Sequence, residues 1–105
     1  MTEQANRVDE TRFKQGLTYD EYIAQINVNQ DRFQEYYESA RASLSAEDVE
    51  AFKKAVENGC SRVLGLGEDW CPDVYRGMPV IASISEAAGM EMRVFPRDAN
   101  LDIMD

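Results

Sequence analysis

Residues 60–96 constrain the fold most, because their pattern changes from a strand to a helix and back to a strand. The run CSRVLGLG at 60–67 is short, apolar and closed by glycine, which is typical of a buried strand. MEMRVFP at 90–96 alternates Met90, Met92 and Val94 with Glu91, Arg93 and Phe95, so it predicts a second strand that ends at Pro96. Between them, 72–89 has apolar residues at helical spacing and ends at a glycine; its predicted buried face is Val74, Met78, Ile81, Ile84 or Ser85, and Ala88.

A strand, a helix and a strand in this order predict a right-handed βαβ unit with two parallel strands. The fold class is therefore α/β. Residues 1–59 have a different pattern and predict three helices. One opens with a capping-box spacing at Thr18 and Glu21, and another opens with Ser45 as its N-cap and Asp48 near position N3. Their aromatic and aliphatic residues recur at helical intervals, so we interpret them as packing residues.

Charge and composition exclude several classes of function. Asp and Glu outnumber Lys and Arg by 20 to 11, and the net charge of −9 disfavours nucleic acid and anionic membrane surfaces as partners. The sequence has no histidine, which removes the commonest general base and zinc ligand. We expect no metal and no cofactor. The polar amino terminus and the lack of a long apolar run predict a cytoplasmic location.

Cys71 is the candidate nucleophile, because it lies where the first strand gives way to the helix. Pro72 suits the first helical position, and a helix N-terminus stabilises the thiolate, which is the reactive form of cysteine. Trp70 and Asp73 would shape the site with Pro72, although the charge of Asp73 opposes a nearby thiolate. Cys60 lies roughly 20 Å away if the intervening strand is extended, so we predict a packing role for it.

These residues resemble the thioredoxin superfamily. Trp70-Cys71 matches that family's Trp-Cys pair, and Pro79 matches the proline that kinks its active-site helix. The runs EDWCPD and FPRDANLDIMD are similar to a bacterial thioredoxin-like subgroup with an N-terminal helical extension. The resemblance implies that residues 1–59 are this extension and that residues 60–105 are the first half of a thioredoxin-like domain. The second half, with its cis-proline loop, would be absent from the sequence.

One departure from the family leaves two functions open. Thioredoxins resolve mixed disulfides with a second cysteine three residues after the first, and here that position is Val74. The chain is then a non-enzymatic binding or assembly module with Cys71 as a relic, or a monothiol thiol-disulfide oxidoreductase that depends on an external thiol. The expected partners are a protein or a small thiol, and self-association through open sheet edges is expected if the chain ends at Asp105.

Overall fold

The computed structural model describes residues 8–59 and 61–104, which form six helices and two strands. The helices α1 to α4 come first, and β1, α5, β2 and α6 follow. Their bounds are α1 Glu10–Lys14, α2 Tyr19–Gln25, α3 Gln30–Ser43, α4 Ala46–Glu57, β1 Arg62–Leu66, α5 Pro72–Ala88, β2 Glu91–Phe95 and α6 Leu101–Met104. None of the helices in this part of the chain has the length and apolarity needed to cross a membrane.

The predicted parallel strand pair is confirmed, and with it the α/β fold class. β1 and β2 run parallel, with Arg62 opposite Glu91 and Leu66 opposite Phe95, and α5 connects them. Leu17 forms an antiparallel bridge with Val94. The Val94 N–H donates to the Leu17 carbonyl at 2.6 Å, and the Leu17 N–H donates to the Val94 carbonyl at 2.9 Å. Because both polar groups of Val94 are used by Leu17, this bridge lies on the edge of β2 that faces away from β1.

Local capping signals fix where several helices begin. The predicted capping box at Thr18 and the predicted N-cap at Ser45 are confirmed: Thr18 accepts from the Glu21 N–H, and Ser45 accepts from the Asp48 N–H, which completes a second capping box. The prediction of three helices before residue 60 was wrong by one. The additional helix is α1, which begins after Asp9, where the carboxylate accepts from the Arg12 N–H at 2.8 Å.

The core joins the N-terminal helices to the βαβ unit. Its buried residues come from α2 and its C-cap, α3, α5 and β2: Tyr22, Ile26, Phe33, Met78 and Val94. The Phe33 ring lies at its centre, with the Tyr22 ring centroid at 5.8 Å and the Tyr75 ring centroid at 6.4 Å, both edge-on. The face of α5 against which α3 packs is therefore buried by the preceding helices.

One burial prediction was wrong. Ile81, predicted on the buried face of α5, is 43% exposed. The small residues Ala82 and Ser83 are buried instead, and the Ser83 hydroxyl donates to the Val80 carbonyl at 3.0 Å. Phe95 alternates with the apolar residues of β2 and is nevertheless buried under the turn after α1, where a Cβ on Gly16 would lie 2.6 Å from the Phe95 ring.

Candidate thiol site at the start of α5

Cys71 occupies the N-cap of α5. Its backbone is extended (φ −82°, ψ 122°), Pro72 is the first helical residue, and the Cys71 carbonyl accepts from Val74 N at 3.0 Å and Tyr75 N at 3.1 Å. The side chain makes no capping hydrogen bond, and the thiol is free and half-buried. The thiol therefore lies at the N-terminal end of a helix and is partly accessible to solvent.

The turn between β1 and Cys71 is fixed at both ends. Gly67 N donates to the Phe95 carbonyl at 3.2 Å, and Cys71 N donates to the Glu68 carbonyl at 3.2 Å. The Gly67 carbonyl accepts from the buried Tyr22 hydroxyl, also at 3.2 Å. Burial, with the nearby carboxylates of Asp69 and Glu68, raises the pKa of Tyr22 well above its ordinary value, so this hydroxyl remains a donor.

Val74 fills the position at which thioredoxins carry the second cysteine. It is half-buried and packs against the core cluster. A Cβ added to Gly67 would lie 2.5 Å from Val74 Cγ2, so only glycine fits opposite it. The position three residues after Cys71 is therefore an apolar packing position. Cys60 lies outside the described residues, and its packing role stays a prediction.

The other predicted site residues are the chain neighbours of Cys71. Trp70, which was predicted to shape the site, is 59% exposed, so its indole is largely open to solvent. Pro72 and Asp73 are exposed in the first turn of α5. The structure therefore brings Trp70, Cys71, Pro72 and Asp73 together by chain adjacency, and all of them but Cys71 are exposed.

Sequence reasoning missed the residues that hold the acidic turn before Trp70. Asp69 Oδ2 accepts from Asn27 N at 2.7 Å and Val28 N at 3.2 Å, and Asn29 Nδ2 donates to the Asp69 carbonyl at 3.0 Å. Glu68 Oε2 accepts from Asp98 N at 2.9 Å, which joins the turn to the segment after β2. The available signal was the Asn-Val-Asn run between two helices, because asparagine tolerates the left-handed backbone of such junctions.

No metal site accompanies the thiol in the described part of the chain, since no three Cys, Asp or Glu side chains are grouped there closely enough to bind an ion.

Comparison with known proteins gives one positive finding. A family model described as thioredoxin matches residues 16–105, which include the whole site and the helices α2 to α6. No curated protein and no solved structure gives a significant match.

Proposed function

The chain belongs to the thioredoxin family, and on that premise we propose that it exchanges thiols and disulfides through one cysteine, Cys71. The observation that carries the proposal is the position of this thiol. It lies at the N-cap of a 17-residue helix, and its sulfur makes no capping hydrogen bond. A helix N-terminus is a position at which reactive cysteines occur, and the partial exposure of the thiol leaves it accessible to a partner.

The exchange has two steps, and each conserves sulfur bonds and electrons. The Cys71 thiolate attacks one sulfur of a partner disulfide, so a mixed disulfide forms and the partner's other sulfur leaves as a thiolate. An external thiol, deprotonated, then attacks the partner's sulfur in the mixed disulfide. That attack regenerates the Cys71 thiolate and leaves a disulfide between the external thiol and the partner. The external thiol is required because Val74 stands where a resolving cysteine would be.

The neighbours of Cys71 have supporting roles in this proposal. Pro72 opens the helix at the first helical position, where its missing N–H leaves no intrahelical hydrogen bond unmade. Trp70, with its indole largely exposed, offers an apolar contact to a partner beside the thiol. Asp73 places a negative charge in the first turn, which suits the helix dipole.

A second candidate is a non-enzymatic binding or assembly module in which Cys71 is a relic. Two observations favour it: the packed Val74, and the outer edge of β1, which has no strand partner among the described residues. Such an edge can pair with a partner protein or a second copy of the chain. The bacterial subgroup, the cytoplasmic location and the division into an extension at 1–59 and a thioredoxin-like half at 60–105 remain predictions under either candidate.

Reaction with glutathione disulfide tests the proposal. We expect the reduced protein to gain one glutathione on Cys71, detected by mass spectrometry, and to release it when reduced glutathione is added. Cys71→Ser should abolish the adduct, and Cys60→Ser, the matched control, should retain it. Equal adduct formation by the folded protein and by the urea-unfolded protein would contradict the exchange role. Partner binding unchanged by Cys71→Ser would then favour the module.

A further inference from the structure

Asp69 ties the turn before Cys71 to the linker between α2 and α3, residues 26–29, and we propose that it is a positioning residue for the thiol. The inference rests on the proposed exchange function and adds to it a group from outside the thiol's own helix. Asp69 lies two residues before Cys71, so displacement of its backbone displaces the N-cap of α5. The linker thereby becomes part of the site.

Asp69 bonds to the linker through both its carboxylate and its backbone carbonyl. Its carboxylate accepts two backbone N–H groups, those of Asn27 and Val28, and its own carbonyl accepts from the Asn29 side chain. Hydrogen bonds to a carboxylate are stronger than those between neutral groups. Three bonds within three consecutive linker residues fix the turn against translation and against rotation.

The backbone of Asn29 shows that the linker is shaped for this contact. Asn29 has φ 66°, and it is the one residue other than glycine with a positive φ in the described part of the chain. A left-handed conformation is costly for a residue with a side chain and persists where surrounding contacts enforce it. Here the Asn29 side chain donates to the Asp69 carbonyl, so the linker conformation and the turn before Cys71 maintain each other.

The hydrogen bonds of Asp69 can be removed separately from its charge, which makes the positioning role testable. Loss of the hydrogen bonds frees the turn and misplaces the sulfur, which slows reaction. Asp69→Asn and Asp69→Ala both remove the charge, but the asparagine amide oxygen can still accept from the linker. The difference between these two variants therefore isolates positioning.

The test compares the two variants in a Cys60→Ser background, with glutathione disulfide and iodoacetamide as the probes. We expect Cys71 in Asp69→Ala to react about tenfold more slowly than in Asp69→Asn. Trp70 is the one tryptophan in the chain and adjoins Asp69, so its fluorescence anisotropy reports the turn directly. It should be lower in Asp69→Ala than in Asp69→Asn. Asp31→Asn, which removes an exposed carboxylate from α3, is the charge control and should leave the anisotropy unchanged.

Equal rates and equal anisotropy in Asp69→Ala and Asp69→Asn would overturn the positioning role. If Asp69→Ala does not fold, Asn29→Gly replaces it, because glycine tolerates the left-handed backbone and removes only the side-chain bond. Its expected result is a smaller change in the same direction, and no change would count against the proposal. A wild-type protein inert to glutathione disulfide would refute the exchange function, whereas the iodoacetamide rates and the anisotropy would still decide the role of Asp69.

Discussion

At the scale of single residues, Val74 determines that the site works with one thiol. It lies three residues after Cys71 in the first turn of α5, and residues at this spacing lie on the same side of a helix. Val74→Cys, in a Cys60→Ser background, should therefore form a disulfide with Cys71 when treated with glutathione disulfide. Loss of the packed methyl groups should lower the free energy of unfolding of the reduced variant by about 1 kcal/mol.

The measurement is the intact mass after oxidation: Val74→Cys should lose two hydrogens as its two thiols form the disulfide and should carry no glutathione. Val80→Cys is the matched control, since it makes the same substitution at a half-buried position further along α5. It should yield a glutathione adduct on Cys71 and no internal disulfide. An oxidised Val74→Cys that retains separate adducts on both cysteines would show that the first turn does not hold the two positions in bonding geometry.

At the scale of elements, local signals in the sequence were sufficient for the helix starts but not for contacts between elements. Thr18 and Ser45 cap their helices through bonds to residues three positions away, so the pattern alone predicts them. The burial of Phe95 depends on Gly16, and the position of the turn at Asp69 depends on the linker between α2 and α3. The spacing of apolar residues does not predict these contacts, because they join segments far apart in the chain.

The junction between β1 and α5 gives the prediction at this scale. Gly67→Ala should lower the free energy of unfolding by about 1–3 kcal/mol, because its Cβ would lie 2.5 Å from Val74 Cγ2. Chemical denaturation measures the loss, and Val74→Ala in the same chain should recover part of it by making room. Gly77→Ala is the control: no atom lies within 4 Å of its Cβ, so it should stabilise α5 by up to about 1 kcal/mol. Additive costs of Gly67→Ala and Val74→Ala would argue against the predicted clash.

At the scale of the whole molecule, tyrosines from the N-terminal helices link those helices to the βαβ unit. Tyr22 bonds the turn after β1, and Tyr37 on α3 donates to Glu86 on α5 at 2.6 Å. Tyr19 stacks on Tyr37 with ring centroids 5.8 Å apart. Burial is the leading cause of a raised pKa in all three, and for Tyr37 the hydrogen bond from its hydroxyl to Glu86 contributes next, raising the pKa to about 12.

These raised values predict that the fold loses stability in alkali. An unfolded tyrosine ionises near pH 10, whereas folded Tyr37 retains its proton until about pH 12. Between these values the unfolded chain binds fewer protons than the folded one, so the free energy of unfolding is unaffected by these groups below pH 10 and falls as the pH rises above it. Urea denaturation from pH 8 to 12 measures the fall. Tyr37→Phe should make the fall shallower, because a ring without a hydroxyl cannot ionise in either state. An equally steep fall in Tyr37→Phe would assign the alkaline loss to groups other than the α3–α5 contact.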